Sequence, residues 1–299
     1  MQKPPYRFAI IIASVFILTD AALWYGIIFD RAIAGPEVYF LDVGQGDSSL
    51  VLLPDRFQRV SPLADNFPHK IKILIDGGPP NGKVRKNLEN IFPANDRYID
   101  MAVISHPQLD HFGGFIDLFE KYDVGILVVG PAAGKGVYWE ALRAVIEKRK
   151  IPVIVLSAGS TITYGESQWE IISPDSGAAA KDINDLALVM KLESGGISAL
   201  FTGDIGANTE VALAAAYDID VDILKVSHHG SRFSSNGVFL KEVSPLISAI
   251  EVGKNSYGHP TEDALRRLAA VSSQIYRTDA NGLIKVAYQN QQLKVFSER

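Results

Sequence analysis

The sequence predicts a mixed α/β domain over residues 37–299, preceded by one membrane-spanning helix. Two observations support this prediction. Short runs rich in Val and Ile alternate with helical patterns after residue 36, and a long apolar segment lies near the N-terminus. Of the 299 residues, 47% are hydrophobic and 21% are charged. That composition is typical of a globular protein and excludes a wholly disordered, collagen-like or coiled-coil chain.

The net charge and the absence of cysteine exclude several functional classes. The formal net charge is −5, so the chain as a whole does not attract nucleic acid, and any such binding would need a local basic patch or a metal ion. The sequence contains no cysteine, which excludes disulfides, zinc fingers, iron–sulfur clusters and a cysteine nucleophile.

The apolar segment Phe8–Phe29 contains a single ionisable residue. Its 22 residues can span a hydrocarbon core of about 30 Å. Because basic residues precede it, the positive-inside rule predicts a cytoplasmic N-terminus at 1–7 and a transmembrane anchor at 8–29, held by membrane lipid. The domain would then lie outside the cytoplasm, at the cell membrane. A cleaved signal peptide, with a cleavage-like site at 32–34, and a buried core helix are the alternatives.

After residue 36, short apolar runs bounded by turn residues predict buried strands. The predicted strands are Glu37–Asp42, Ser48–Leu53, Ile71–Asp76, Met101–Ser105, Ile126–Val129, Val153–Leu156, Trp169–Ile172, Leu186–Leu192, Ala199–Thr202 and Ile223–Ser227. A late strand pair, Gln274–Tyr276 and Leu283–Tyr288, is predicted around a turn at Asp279–Gly282.

Helical patterns fall between these runs. The predicted helices are Gly114–Tyr122, Val137–Arg149, Thr209–Ala216 and Thr261–Ala270. Thr261 followed by two acidic residues is typical of a helix N-terminus. The polar stretch Arg56–Lys70 is predicted to form a surface hairpin, and no repeat or low-complexity linker divides the domain.

Polar residues follow the ends of several predicted strands. The loops that follow these strands read SHPQLDHFGG from Ser105, TGD from Thr202 and HHGS from His228. Because loops at the carboxyl ends of strands converge in open α/β sheets, we expect these residues to meet. Imidazole and carboxylate groups are ligands of zinc, manganese and iron. The sequence therefore predicts a metal site at this edge.

The loop SHPQLDHFGG is similar to the H-x-[HD]-x-D-H loop of the metallo-β-lactamase superfamily. LIDGG at 74–78, TGD at 202–204 and the later histidines follow in the order that this superfamily uses. Three further stretches resemble more narrowly the ComEC type, the nuclease-like domain attached to bacterial competence DNA-uptake channels. They are FLDVGQGDSSLV at 40–51, LKVSHHGS at 224–231 and NSYGHP at 255–260.

The resemblance implies an αββα sandwich of two mixed β-sheets flanked by helices, with a metal site on one edge. The implied ligands are His106 and position 108 for one metal, Asp110 and His111 for a second, Asp204 as a bridge, and His259 as the last ligand. His228 or His229 would be either a ligand or a catalytic acid beside the leaving group.

Four residues are expected to support the implied ligands: Asp76, Gln108, Asp47 and Asn184. Asp76 would orient the ligand loop, and Asp47 lies in a turn that would face the site. Asn184 belongs to a partial match to an Asn-x-x-Ser-like stretch of the family. Gln108 stands where the family pattern has His or Asp, and an amide oxygen is a neutral, weak ligand. The expected cofactor is therefore zinc or manganese, with one ion bound tightly and a second more weakly.

The resemblance implies a membrane-anchored metal-dependent hydrolase, a nuclease or phosphodiesterase whose partners are nucleic acid and DNA-uptake channel proteins. The metal would lower the pKa of bound water, Asp110 would orient that water, and His228 or His229 would protonate the leaving oxygen.

Two alternatives to a nuclease stay open. One is a hydrolase of a lactone, a β-lactam or a cell-envelope phosphodiester, and the other is a metal-poor scaffold module of an uptake apparatus. Lys225, Arg232 and Lys254 lie near the motifs and would either contact phosphate groups or form ordinary surface charge.

Overall fold

The computed structural model describes residues 35–55, 70–179, 181–289 and 291–299. They form two β-sheets that pack face to face, with helices on both outer sides. The predicted anchor at 8–29 and residues 56–69 of the predicted hairpin lie outside the described residues. Within the described ranges, no helix combines the length and the apolar character that crossing a bilayer requires.

The first sheet has eight strands in the order β15-β14-β1-β2-β3-β4-β5-β6. The strands from β15 to β3 pair antiparallel, and those from β3 to β6 pair parallel. Their bounds are β1 (Glu37–Phe40), β2 (Ser49–Pro54), β3 (Lys70–Ile75), β4 (Tyr98–Ile104), β5 (Asp123–Val129), β6 (Val153–Val155), β14 (Ile284–Gln289) and β15 (Gln292–Ser297).

The second sheet has seven strands in the order β13-β12-β11-β10-β9-β8-β7. The strands from β13 to β10 pair parallel, and those from β10 to β7 pair antiparallel. Their bounds are β7 (Thr161–Tyr164), β8 (Ser167–Ser173), β9 (Val189–Ser194), β10 (Ile197–Phe201), β11 (Ile223–Lys225), β12 (Ile247–Ile250) and β13 (Gln274–Arg277).

Helices cover the outer face of each sheet. Those with described bounds are α1 (Lys83–Ile91), α2 (Leu109–Phe112), α3 (Phe115–Lys121), α4 (Val137–Arg149), α5 (Ala207–Ala216), α6 (Gly237–Val243), α7 (Glu262–Ala270) and α8 (Thr278–Asn281). Helices α1, α3 and α4 pack on the first sheet, whereas α5, α6 and α7 pack on the second.

The alternation of side chains along the strands explains why the sheets need cover on both faces. In β2, Val51 and Leu53 point into the core between the sheets, whereas Leu50 and Leu52 point toward the helices. Successive residues of a strand face opposite sides, so a continuous apolar run must be buried on both. The predicted αββα sandwich of two mixed sheets is confirmed.

Most predicted elements of the domain are present with small shifts at their ends, and the helix Val137–Arg149 has the predicted bounds. The prediction of a late strand pair is wrong. The two segments are β13 and β14, which belong to different sheets and are joined by α8. The short run of β12 and the mostly polar sequence of α1 were not predicted, because neither has a long apolar periodicity.

The fold brings the carboxyl ends of six strands to one edge of the sandwich. Strands β1, β3 and β4 of the first sheet end there, as do β10, β11 and β12 of the second. The loops that follow these strands contact one another. Asp47 N donates to Asp110 O (3.2 Å), and His228 N donates to Gly203 O (3.2 Å). The polar residues that follow the strands in the sequence therefore meet at this edge, as predicted.

Candidate metal centre

Close backbone packing positions the loop that carries Asp110 and His111. Helix α2 is a single turn directly after β4, so neighbouring residues can face the same centre. Gly46 has a φ of 140°, and a Cβ there would overlap the carbonyl oxygen of Asp110. A Cβ on Gly114 would likewise overlap the carbonyl oxygen of Gly77. Glycine at these positions lets three loops interlock around the centre.

His111 lies at the middle of the centre and is fully buried. Its Nδ1 donates to Asp76 Oδ2 (2.8 Å), and its Nε2 lies 3.3 Å from Asp204 Oδ2. Asp76 also accepts hydrogen bonds from the backbone N (2.8 Å) and the hydroxyl (2.6 Å) of Ser105. These bonds fix the imidazole so that its Nε2 faces the centre.

His229 approaches Asp204 from the second sheet. Its Nδ1 donates to the backbone carbonyl of Glu251 (2.8 Å), and its Nε2 lies 3.4 Å from Asp204 Oδ2 and 3.5 Å from Asp110 Oδ2. His228 and His229 have φ values of 50° and 53°. This left-handed turn directs the His229 ring inward.

His106 presents a third imidazole, with its ring centroid 4.1 Å from that of His111. Because Ser105 donates its hydroxyl proton to Asp76, His106 Nδ1 donates to Ser105 Oγ (3.1 Å). Its Nε2 therefore carries a lone pair. The side-chain amide of the neighbouring Gln108 is held by Asn184, because its Nε2 donates to Asn184 Oδ1.

The electrostatics of the centre are dominated by burial and by opposite charges in contact. Burial opposes the protonation of His229, but the carboxylates of Asp204 and Asp47 raise its pKa to about 10. Burial likewise opposes the ionisation of Asp110, but the nearby His229 and His111 lower its pKa to about 2. Burial and the nearby His111 lower the pKa of His106 to about 3.

The structure also identifies two ionisable residues of the centre, Lys225 and Glu251, whose position the sequence did not indicate. Lys225 is 3% exposed and contacts Asp47, and its Nζ donates to Gly203 O (2.9 Å). Both expectations for Lys225 are therefore wrong, because its side chain points into the protein. Glu251 accepts from Ser48 N (3.1 Å), and burial raises its pKa well above the usual range. The sequence signal that could have identified Glu251 is the position of an acid directly after a buried strand.

Two of the expected ligands lie farther out. His228 and His259 are half-buried, with ring centroids 5.6 Å apart. Among the described residues, the groups of acids and histidines whose ligand atoms lie within 4.8 Å of one another contain neither residue. His259 is held instead by Asn255, which accepts from His259 N (3.0 Å) and donates to His259 O (2.8 Å).

The sequence is similar to those of two curated competence-related proteins. ComE operon protein 3 of Bacillus subtilis is 28% identical over 260 residues, covering 85% of this chain and 33% of that protein. Competence protein ComA of Neisseria gonorrhoeae is 29% identical over 267 residues, covering 87% of this chain and 34% of that protein. The chain therefore spans about a third of the length of these curated relatives. No protein-family model matches the sequence.

The comparison with solved structures indicates the metallo-β-lactamase fold. The crystal structure of the metallo-β-lactamase fold protein YhfI from Bacillus subtilis superposes with a TM-score of 0.53 at 14% identity, covering 84% of this chain and 99% of that one. The chain contains a domain with the metallo-β-lactamase fold, and its sequence is similar to that of the ComEC-type competence proteins. The resemblance that the sequence motifs indicated is confirmed.

The residues of this centre fit a divalent metal ion. Four groups with ligand atoms within 4.8 Å of one another meet there: His106, His111 and Asp204; Asp110, His111 and His229; Asp47, Asp76 and His111; and Asp47, Asp204 and His229. The Nε2 atoms of His106, His111 and His229 are buried without a hydrogen-bond partner. Buried polar atoms normally have partners. Once a binding metal displaces their protons, imidazole nitrogens beside ionised carboxylates form the donor set of zinc and manganese sites.

We expect the metal-free chain to bind about one Mn²⁺ or Zn²⁺ tightly, and a second only at high metal concentration. Asp110, His111, Asp204 and His229 supply charge and imidazole to one ion, whereas Gln108 offers a neutral amide tied to Asn184. Equilibrium dialysis followed by elemental analysis measures both stoichiometry and affinity.

One ligand variant and one control variant test the assignment of the tight ion. Asp110→Asn should weaken binding of the tight ion by at least about tenfold. Asp117→Asn, on the exposed outer helix α3, should leave binding unchanged. Two ions of equal affinity would contradict the assignment.

Proposed function

We propose that this protein is a metal-dependent hydrolase that cleaves phosphodiester bonds in DNA. The observation that carries the proposal is the buried centre at the sandwich edge, where three unpartnered imidazole nitrogens face the carboxylates of Asp110 and Asp204. DNA as the substrate is supported by the relative from Neisseria gonorrhoeae, which is named a competence protein.

The side chains of the centre have distinct roles in this proposal. A divalent ion, when bound, supplies Lewis acidity toward the phosphoryl group and lowers the pKa of a water molecule. The side chain of Asp110 is 34% exposed, so it can accept a hydrogen bond from water entering from solvent. His228 is half-buried beside His229 and His259 and can donate a proton to the leaving oxygen.

Exposed aromatic and basic side chains lie on the loops that carry His228 and His259, and they favour a nucleic-acid substrate over a lactone or β-lactam. Phe233 is 73% exposed and Tyr257 is 71% exposed, and the ring centroid of Tyr257 lies 5.7 Å from that of His259. Arg232 and Lys254 are also exposed on the same two loops. Aromatic rings stack on unpaired bases and cations contact phosphates, which supports single-stranded DNA as the substrate.

One observation favours a second candidate function. The bond between Gln108 and Asn184 occupies the side of the centre where the family pattern has a charged or imidazole ligand. A metal-poor scaffold module of a DNA-uptake apparatus would have this arrangement, and it would bind DNA without cleaving it.

We also propose that segment 8–29 anchors the protein in the cell membrane with the domain outside the cytoplasm, beside DNA-uptake channel proteins. Its 22 residues, of which one is ionisable, and the preceding basic residues support this topology. Protease added to intact spheroplasts should then digest the domain. Full protection there, with digestion after lysis, would reverse the orientation.

Asp110→Ala should lower metal-dependent cleavage of single-stranded DNA and of a chromogenic phosphodiester by at least about 100-fold. The substitution removes both a ligand and the group placed to orient water. Gln108→His should raise metal affinity or rate, because it adds an imidazole beside His106. Initial rates with Mn²⁺ and Zn²⁺, compared with the Asp117→Asn control, measure both effects.

Two results would count against a DNA-cleaving enzyme. Full activity in Asp110→Ala would make the site assignment wrong. An inactive wild type together with an active Gln108→His variant would favour the scaffold function.

Phe233→Ala and Tyr257→Ala should each raise KM for single-stranded DNA by about tenfold, since stacking of one base contributes about 1–3 kcal/mol. Neither variant should change cleavage of a small chromogenic phosphodiester, which has no bases to stack. Val238→Ala, an exposed apolar side chain on α6, is the matched control. Equal losses on both substrates would argue against base stacking and for damage to the centre.

A further inference from the structure

Lys225 differs from the other buried lysines of the described residues in what surrounds its charge. Its ammonium contacts Asp47 and lies 3.7 Å from Asp204 Oδ1, and both of those carboxylates are themselves buried. Lys72 and Lys191 are also buried, but their acidic partners reach solvent, with the side chain of Asp96 37% exposed and that of Glu193 64% exposed. Those pairs are half-solvated ion pairs, whereas the charge of Lys225 is enclosed.

The Lys225 ammonium faces two carboxylates that belong to one candidate ligand group. Asp47, Asp204 and His229 offer ligand atoms within 4.8 Å of one another. The ammonium contacts Asp47 Oδ2 and lies 3.7 Å from Asp204 Oδ1, whereas His229 faces the other two oxygens, Asp47 Oδ1 at 3.2 Å and Asp204 Oδ2 at 3.4 Å. A metal ion bound by these two carboxylates would lie beside a fixed positive charge, so the two cations compete.

We propose that Lys225 is a built-in cation that takes the place of a second divalent ion at Asp47 and Asp204. This position is thereby closed to a second ion, and the tight ion is the one held by Asp110, His111, Asp204 and His229. This inference rests on the proposed metal-dependent function, and it makes Lys225 a positioning residue for the metal rather than a group that contacts the substrate.

The charge balance of the centre explains why such a cation is needed. A buried carboxylate is costly unless a positive group compensates it. Asp76 is compensated by His111 and Ser105, whereas the carboxylate of Asp47 faces the ammonium of Lys225, with His229 Nδ1 at 3.2 Å and His111 Nδ1 at 3.7 Å. Because Lys225 is covalently attached, its charge stays in place at any metal concentration. The loops of the centre can therefore assemble before any ion binds.

A series of charge variants tests the inference through metal binding alone. The full chain, purified in detergent and stripped of metal, is titrated with Mn²⁺ in the absence of DNA. Lys225→Met should admit a second ion or raise affinity by at least about tenfold, whereas Asp47→Asn should lower affinity by at least about tenfold. The double variant should return close to the wild type. Lys191→Met, a buried lysine on β9, is the matched control and should change nothing.

The double variant keeps the test decisive if Lys225→Met alone does not fold. Replacing both partners of a buried pair by neutral groups is tolerated far better than removing one. Asp47→Asn and the double variant differ only at Lys225, so the double variant should bind Mn²⁺ more tightly by at least about tenfold. Equal affinities in that comparison would overturn the inference, as would a wild type that binds two ions tightly.

The same measurements separate this inference from the proposed function. A protein that binds one ion with this charge dependence but cleaves no DNA would refute the hydrolase and leave the role of Lys225 standing. A protein that cleaves DNA, but whose affinity for Mn²⁺ does not depend on the charge of Lys225, would support the hydrolase and refute the role of Lys225.

Discussion

The carboxylate of Asp204 holds the two halves of the sandwich edge together. It follows β10 of the second sheet and lies 3.3 Å from the Nε2 atom of His111, which follows β4 of the first sheet. His229 approaches the same oxygen atom at 3.4 Å. A buried carboxylate requires positive or hydrogen-bonding partners to offset its desolvation. The loops from both sheets must therefore converge on this one oxygen, and the other contacts of the edge follow from that requirement.

The packing of the domain supplies the rigidity that this convergence needs. Both faces of each sheet are buried, so the strands are fixed in register and their ends cannot slide. Gly46 and Gly114 allow the backbone of neighbouring loops to touch, which leaves the side chains little freedom. Asp76 then sets the orientation of His111 through Ser105 and the imidazole Nδ1. A centre built in this way is preorganised for an ion.

The sequence was sufficient for the sandwich and for the residues of the centre that carry recognisable motifs. Strand-end clusters predicted that His111 and Asp204 would meet, because carboxyl ends of strands converge. The sequence did not indicate that Lys225 points inward, since a lysine at the end of a strand looks the same whether it faces solvent or core. Nor did spacing place His259 outside the inner groups, because the two hydrogen bonds between Asn255 and the backbone of His259 depend on the conformation of that loop. Side-chain direction at loops is fixed by packing rather than by local pattern.

The central claim is that the buried cluster of acids and imidazoles is a centre for a single metal ion. Crystals of the protein soaked in Mn²⁺ and measured for anomalous scattering test it most directly. We expect one strong anomalous peak within bonding distance of Asp110, His111, Asp204 and His229, with Lys225 still beside Asp47. Two peaks of equal height, or a single peak away from Asp204, would contradict the account.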